Sequence, residues 1–362
     1  MSKGLKLGER ELENAIIGGT ILGGGGGGDP AMGRQYAEFA VKYCDLRLHN
    51  IDDFADDKVV VTASVVGAPK ALDLYLEGKD LVRSMELFCN TYTDAPIAGI
   101  ITNENGGIAT INGWLQSAVL GLPLIDAPCN GRAHPTGTMG SMNLHKDPDY
   151  TTIQAAVGGN PKLGRYLECV FKGTVDRTSA LVRQASIEAG GFVAVTRNPV
   201  RVAYARTNCA VGGITHAIET GKAFSRGLAA SPEKAVNSAM EYLGGKIVTK
   251  GIVRDFELIS ENGFDVGFVM IDDMELTFWN EYLTLDIKGE RIGTFPDLVM
   301  TFDGKTGQPL TTSAIAQGAE IYVTVAPAAN LKLSSTMFEI DLIKQCEKIV
   351  GKELVGYSRL VQ

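Results

Sequence analysis

The stretch GGGGGGDP at residues 23–30 determines how the first part of this 362-residue chain is interpreted. Asp29 is a good helix N-cap and Pro30 suits the first helical position, which predicts a helix over 31–43. Upstream, residues 8–22 carry apolar side chains at helical spacing, although the second half of that segment could equally form a strand. The six glycines are therefore expected to form a loop that ends at a helix N-terminus.

Glycine residues let a backbone approach a ligand closely, and the helix that follows adds a partial positive charge. We therefore predict that this loop binds a carboxylate, a phosphate or a developing oxyanion. A flexible turn between two helices is the structural alternative. A dinucleotide loop for NAD(P) is a second alternative, since the run satisfies G-x-G-x-x-G and Asp52 or Asp53 follows at a suitable distance. The predicted ligand-binding residues of the loop are Gly25, Gly26, Gly27, Gly28 and Asp29.

Downstream of the loop, strand-like and helical segments alternate. This order is typical of an α/β domain with a mainly parallel sheet. Strands are predicted at 45–51, 59–66, 98–101 and 122–125, and helices around 81–88 and 114–120. The segments 166–188 and 214–242 are predicted to be mainly helical.

Short β-rich runs separated by turn sequences follow residue 245. They predict a smaller C-terminal all-β domain, either a barrel or a sandwich. We therefore divide the chain into an α/β domain at 1–244, a β-rich domain at 245–330 and a C-terminal tail at 331–362 that packs back on the protein. The predicted strands are 247–256, 264–271, 274–279, 282–287, 291–295 and 320–325.

Composition excludes several classes of partner. The net charge of −8 argues against nucleic acid or an anionic membrane surface. The N-terminus lacks the apolar core of a signal peptide, and no run of about 18 apolar residues is present. The six cysteines form no C-x-x-C pair, which indicates reduced thiols in the cytoplasm. We expect a small-molecule substrate and a homo-oligomer.

Three further glycine-bearing junctions, at 66–69, 103–107 and 126–132, each follow a predicted strand. In an open parallel sheet, ligands bind beyond the carboxyl ends of the strands, so these loops and the glycine loop are expected to converge on one crevice. They add Gly67, Gly106, Gly107 and Gly131 to the predicted ligand-binding residues. Thr215, at a later helix start, either caps that helix or faces the crevice, and capping is favoured.

Five side chains at these junctions are candidates for catalysis: Glu104, Asp126, Cys129, Arg132 and His134. The two carboxylates could activate water as general bases, and a nearby cation would stabilise developing charge. The cysteine lies in a turn close to Arg132, where its thiol pKa could fall, and an unreactive turn cysteine is the alternative. The four histidines show no i, i+4 pair, so no metal ligand is assigned and the cofactor stays unknown.

The ordered junctions together resemble the S-methyl-thiohydantoin desulfurase family. The resemblance is carried by residues 25–33, 67–69, 104–107, 120–127, 131–133 and 135, and it continues at 213–217, 280–282 and 295–298. It implies an N-terminal α/β domain, a C-terminal β domain and chemistry on a five-membered cyclic imide or thioimide. Carried over by position, it implies site residues at Gly25–Asp29, Glu104, Asp126, Gly131 and Arg132.

This chain departs from the family pattern at two carboxylate positions. Pro128 stands where relatives have an aspartate, and Thr136 where they have a glutamate, while Cys129 and His134 are additions. Three functions remain open. They are hydrolysis or desulfurisation of a hydantoin-like cyclic amide, a non-catalytic accessory role beside a hydantoinase-like partner, and an NAD(P)-dependent oxidoreductase.

Overall fold

The computed structural model describes residues 4–67 and 73–358, and they form two eight-stranded sheets with helices. The predicted combination of an α/β N-terminal part and an all-β C-terminal part is confirmed. The first sheet has the strand order β1-β2-β5-β4-β3-β8-β6-β7. Its strands are β1 (Leu5–Lys6), β2 (Arg47–His49), β3 (Val59–Gly67), β4 (Ile97–Thr102), β5 (Leu124–Ile125), β6 (Thr152–Gly158), β7 (Leu167–Gly173) and β8 (Phe192–Arg201).

Parallel pairing is confined to β2, β5, β4 and β3, and the remaining neighbours in this sheet are antiparallel. The mainly helical prediction for 166–188 was wrong in its first half, because Leu167–Gly173 pairs with β6 as an antiparallel edge strand. Strand β8 was not predicted. Its nearly continuous buried side chains have no alternation that would mark a strand face.

Helices flank the first sheet, and the helix after the glycine loop begins at the residue that its capping sequence predicts. Asp29 accepts a hydrogen bond from the backbone N–H of Ala31 at 2.7 Å, and Pro30 occupies the first helical position. The upstream segment forms a helix, not a strand. The helices are α1 (Glu9–Leu22), α2 (Pro30–Tyr43), α3 (Gly78–Thr91), α4 (Trp114–Leu120), α5 (Val175–Glu188), α6 (Val202–Asn208), α7 (Gly213–Leu228), α8 (Pro232–Tyr242) and α9 (Ile340–Val350).

The second sheet is antiparallel throughout, with the order β13-β12-β11-β10-β9-β16-β14-β15. The long strand β9 pairs with β10 on one side and β16 on the other, and the sheet curls so that Tyr282 of β12 reaches Thr301 of β14 at 3.1 Å. Its strands are β9 (Lys246–Glu261), β10 (Phe264–Ile271), β11 (Met274–Trp279), β12 (Glu281–Ile287), β13 (Glu290–Thr294), β14 (Leu298–Asp303), β15 (Pro309–Leu310) and β16 (Glu320–Ala326).

Two apolar clusters join the sheets. In one, α7 and α8 pack against β14 and β16, with Phe224 stacked on Phe302 at 6.4 Å between ring centroids. In the other, α9 covers the β11–β12 hairpin, and Cys346 and Leu342 are buried beside Trp279. Burial of this apolar surface holds the two sheets in one body.

The glycine loop lies at the junction of the two sheets. The carbonyl of Gly24 accepts a hydrogen bond from the N–H of Tyr282, and the carbonyl of Gly25 accepts one from the N–H of Thr312, each at 2.8 Å. On the other side, the carbonyl of Gly27 accepts from the N–H groups of Ile108 and Ala109. The loop is thus bonded to both sheets at once.

Close approach explains why glycine is needed here. A Cβ on Gly27 would lie 2.4 Å from the Cα of Gly106, and one on Gly26 would lie 2.0 Å from the Oε1 of Glu281. Gly27 also has a φ of 78°, in the left-handed region that disfavours other residues. The loop is a packed backbone junction and not a free turn.

We predict that Gly27→Ala lowers the free energy of unfolding by several kcal/mol, because it adds a backbone clash to left-handed strain. Gly121→Ala is the matched control, since Gly121 has a φ of 70° and nothing within 4 Å of an added Cβ. The control should lose only about 1–2 kcal/mol. Urea denaturation of both variants measures the difference, and equal losses would show that the close contact adds nothing.

Candidate functional site

A cavity of about 420 Å³ lies between the two sheets. This volume is typical of small-molecule sites, which span roughly 300–1,000 Å³. Its walls come from the glycine loop, the loops after β4 and β5, helix α5, strand β8 and three loops of the second sheet. The lining segments are 25–28, 65–67, 103–104, 108–109, 134–138, 264–265 and 311–313, with side chains of α5 and residues 112, 192, 197, 262, 280, 281 and 345.

Glu104 and His134 form a close pair in this cavity. The backbone N–H of His134 donates to the Oε2 of Glu104 at 3.1 Å, and the ring Nε2 lies 3.1 Å from the same oxygen. Burial raises the pKa of Glu104 to about 8, an effect that the His134 N–H and the positive charge of Arg197 partly oppose. Burial also lowers the pKa of His134 to about 3, so its ring is neutral at physiological pH.

Glu281 faces the same cavity from the second sheet. It opens β12 directly after the tight turn at Asn280, which has a φ of 58°. Its side chain is buried, and its Oε2 has no hydrogen-bond partner among the described residues. Burial and the nearby carboxyl of Glu104 raise the pKa of Glu281 well above its usual range. Both effects favour the protonated form of Glu281.

Two arginines complete the charged lining. Arg197 of β8 donates from Nη2 to the Oδ1 of Asn103 at 2.7 Å, which fixes the amide beside His134. Arg183 of α5 donates from Nη1 to the carbonyl of Gly263 at 2.8 Å, and its guanidinium lies over the ring of Phe264. Burial lowers the pKa of both, that of Arg183 to about 10, so both stay charged at neutral pH.

The glycine loop presents backbone donors to the cavity. The N–H groups of Gly25, Gly27 and Gly28 have no acceptor in the described part of the chain, whereas that of Gly24 donates to the carbonyl of Ile21 in α1 and that of Gly26 to the carbonyl of Gly23. Their position at the N-terminus of α2 adds the partial charge of the helix. The predicted ligand-binding stretch 25–28 thus lines the cavity, while Asp29 serves as the cap of α2.

The structure does not bring all the predicted site residues together. Asp126 lies in a second cavity of about 290 Å³, with Thr215 and His49. Its carboxylate accepts from the N–H of Ile214 at 2.7 Å and from the hydroxyl of Thr215 at 2.5 Å. Asp126 therefore caps the N-terminus of α7, and the expected convergence of every junction on one crevice was wrong for this strand end.

Cys129 and Arg132 are also outside the lining of the larger cavity. Cys129 is buried in an apolar cluster, with its Sγ 3.2 Å from the hydroxyl of Thr62. Arg132 is fully buried, and its guanidinium donates to the carbonyls of Ala133, Pro296 and Asp297. Arg132 thus ties the first domain to the loop before β14, and this contact corrects its predicted position in the crevice.

The remaining predicted glycines serve mainly as close contacts. Gly106 and Gly107 pack against the backbone of the glycine loop, and a Cβ on Gly131 would lie 1.7 Å from the carbonyl oxygen of Lys332. Gly67 lines the cavity at the end of β3. The rest of its predicted junction, Ala68 and Pro69, lies outside the described residues.

Neither a metal cluster nor a membrane-spanning helix is found among residues 4–67 and 73–358. No three His, Cys, Asp or Glu side chains there are grouped so as to hold a metal ion. None of the described helices has the length and apolar character needed to cross a membrane.

The dinucleotide interpretation of the glycine run is not supported by its context. That fingerprint requires a strand before the loop, whereas residues 23–28 follow the helix α1. The downstream acid Asp52 forms an ion pair with Arg206 at the surface. The loop therefore lacks the βαβ geometry that places a pyrophosphate.

Sequence reasoning missed Glu281, Arg183 and Arg197. Glu281 stands within a predicted β-meander, where a single glutamate between strands is usually a solvated turn residue. The two arginines lie on α5 and β8, in segments assigned to helix or left unassigned. Glu281 could have been found from the segment 280–282, which carried part of the family resemblance.

These features define a two-domain protein whose small-molecule pocket, lined by both apolar and charged side chains, lies between an α/β sheet and a β sheet. The chain belongs to the S-Me-THD-like family, since the N-terminal domain model matches residues 10–162 and the C-terminal domain model matches residues 174–358. No curated protein matches it. The crystal structure of a protein from Chromobacterium violaceum is similar in fold, with a TM-score of 0.71 and 20% identity over 95% of this chain and 96% of that one.

We predict that the stability of the wild type relative to Glu104→Gln falls as pH rises from about 4.5 to about 8. In this window the unfolded Glu104 ionises while the folded one keeps its proton, because burial raises its folded pKa to about 8 from 4.5. Glutamine cannot ionise, so the variant lacks this loss. Urea denaturation across this pH range measures it, with the exposed Glu261→Gln as control. A constant difference between wild type and Glu104→Gln would contradict the burial effect.

A second prediction concerns Asp126. Asp126→Ala should lower the free energy of unfolding by about 1–2 kcal/mol, because it removes the cap of α7 and leaves buried N–H groups unpaired. Asp29→Ala, at the exposed cap of α2, is the matched control and should lose less. Ligand binding in the larger cavity should persist in both. Loss of binding in Asp126→Ala at wild-type stability would instead give Asp126 a role in the site.

Proposed function

We propose that this protein is a hydrolase of small five-membered cyclic amides or thioamides, of the hydantoin or S-methyl-thiohydantoin class. The observation that carries the proposal is the pair of carboxyls of Glu104, whose side chain is 13% exposed, and Glu281, which is buried; they face one pocket from different domains. Their environments differ, and paired carboxyls of unequal pKa commonly divide the roles of base and acid. The family name is consistent with this class of substrate.

In the proposed reaction, Glu104 acts as general base. Its pKa of about 8 is near the working pH, where a base combines adequate ionisation with adequate strength. Its carboxylate takes a proton from water, and the resulting hydroxide adds to a ring carbon that bears oxygen or sulfur. The π electron pair moves onto the carbonyl oxygen or the ring nitrogen. His134 holds Glu104 in place through its N–H.

Collapse of the adduct requires an acid, and Glu281 holds the proton. In a hydantoin the ring C–N bond breaks, Glu281 protonates the leaving nitrogen, and a ureido acid forms. In an S-methyl-thiohydantoin the C–S bond breaks, the sulfur takes the proton, and methanethiol leaves with a hydantoin as the second product. The proton taken up by Glu104 then restores Glu281 through solvent.

The polar groups around the pocket complement an amide edge, which offers both donors and acceptors. Free N–H groups of Gly25, Gly27 and Gly28 would stabilise the charge that develops on oxygen or nitrogen. The buried Nε of Arg197 and Oδ1 of Asn112 also lack partners among the described residues. Such unpaired groups favour a ligand that supplies the missing hydrogen bonds.

We expect purified protein alone to turn over hydantoin or 2-methylthio-hydantoin, with kcat/KM rising with pH around an apparent pKa near 8, since Glu104 must lose its proton. A thiol reagent detects methanethiol, and mass spectrometry detects ring opening. Glu104→Gln should lower kcat/KM by about 10²–10⁴, and Glu281→Gln by about 10². Glu261→Gln, outside the pocket, is the control.

Two outcomes would overturn the proposal. One is that no cyclic amide in the panel is turned over by the purified protein, and the other is undiminished turnover by Glu104→Gln. Activity that appears only after addition of a hydantoinase-like enzyme would favour the accessory role instead.

A further inference from the structure

Two arginines in the wall of the pocket have no ionic partner. Neither Arg183 nor Arg197 has a carboxylate oxygen within 4.0 Å among the described residues. Arg197 is only 2% exposed, and its Nε has no hydrogen-bond partner in the described part of the chain. Buried charges in proteins are normally paired, so these two require an explanation.

Two other arginines of low exposure, Arg132 and Arg291, bond to protein groups and do not line the pocket, although the Nη2 of Arg132 has no hydrogen-bond partner among the described residues. Arg291, with a side chain 7% exposed, pairs with Asp286 at 2.6 Å. Arg132 donates to three backbone carbonyls. Arg183 and Arg197 differ from these, because each donates to a single protein acceptor in the described part of the chain and both line the same cavity.

The two guanidinium groups also act on each other. After burial, the charge of Arg197 is the largest influence that lowers the pKa of Arg183. Two cations that repel each other across a cavity are stabilised when an anion lies between them. A bound anion would therefore offset the repulsion between Arg183 and Arg197.

The acidic groups that face the cavity do not fill this role. Burial raises the pKa of both Glu104 and Glu281, which favours their neutral forms. Asp176 is exposed and accepts a hydrogen bond from the hydroxyl of Thr138, and Asp265 accepts one from the hydroxyl of Ser260. In the described part of the chain, Glu104, Glu281 and Asp176 form no ion pair with either arginine.

We infer that the ligand of this pocket carries a carboxylate, which Arg183 and Arg197 bind together. Arg183 is well placed for this, because its guanidinium carbon lies 4.2 Å from the centroid of Phe264 and the stacking fixes the plane of its donor fork. A fork held in one plane matches the two oxygens of a carboxylate.

The cavity has room for a ring that carries a carboxylate substituent. Its volume of about 420 Å³ exceeds what a lone five-membered ring fills, and the arginines occupy the α5 and β8 wall, away from the glycine loop. The inference rests on the proposed function for the identity of the ring, which would lie between Glu104 and Glu281. The carboxylate arm would then extend toward Arg183.

The test compares matched ligands that differ only in charge. Calorimetry with the full chain would measure Kd for hydantoin-5-acetic acid and for its neutral primary amide. We expect the acid to bind the wild type at least about 10-fold more tightly, because a charge-assisted pair adds more than 1 kcal/mol. Raising the salt concentration should weaken binding of the acid more than binding of the amide.

Variants assign the effect to the arginine. Arg183→Gln should abolish the preference for the acid and leave the Kd of the amide within about twofold. Arg183→Lys keeps the positive charge but lacks the planar set of guanidinium donors, and it should retain part of the preference for the acid over the amide. Arg177→Gln is the control, since Arg177 is exposed on the same helix and does not line the pocket. Thermal melting verifies that each variant is folded.

The outcomes separate this inference from the proposed function. Equal Kd values for acid and amide in the wild type, or an equal loss for both ligands in Arg183→Gln, would overturn the carboxylate inference while turnover of neutral hydantoin could stand. If no hydantoin binds, ring-free succinamate serves as the probe. Binding of succinamate that depends on Arg183 would then support the carboxylate site and refute the cyclic-amide proposal, and absence of binding would refute both.

Discussion

Backbone contact between Gly27 and Gly106 is the constraint on which the rest of the structure depends. A Cβ at either position would lie within 2.4 Å of the opposite backbone, so no side chain larger than hydrogen fits. The contact holds the glycine loop against the first sheet while the carbonyl groups of Gly24 and Gly25 bind the second. One short segment thereby sets the spacing between the domains and leaves its unused N–H groups facing the gap.

That spacing determines the electrostatics of the pocket. Because the domains meet closely, Glu104 of the first and Glu281 of the second lose most of their contact with water, and the carboxyl of Glu104 adds to the rise in the pKa of Glu281. The carboxyl of Glu281 fits only because Gly26 presents no side chain to it. The same glycine run therefore explains both the domain packing and the perturbed acids, which a conventional surface loop would not produce.

The sequence predicts features that depend on neighbouring residues, such as helix caps. It does not predict contacts between side chains that are distant along the chain. Asp29 and Pro30 identify the start of α2 because capping depends only on adjacent residues. Glu104 follows a buried strand, so its place at the sheet edge was predictable. Asp126 follows a neighbouring strand in the same way, yet its side chain reaches α7, a segment 88 residues distant. Glu281 was missed because its partner across the pocket belongs to another domain.

Burial favours the neutral form of both the acids and the bases of this pocket. The charge that remains at pH 7 differs, because their ordinary pKa values lie at different distances from neutrality. A carboxyl whose pKa is raised to about 8, like that of Glu104, loses most of its charge at pH 7. A guanidinium lowered to about 10 keeps its charge, as Arg183 does. The same desolvation therefore removes negative charge from the site and leaves positive charge behind. Although the whole chain carries a net charge of −8, its pocket favours an anion.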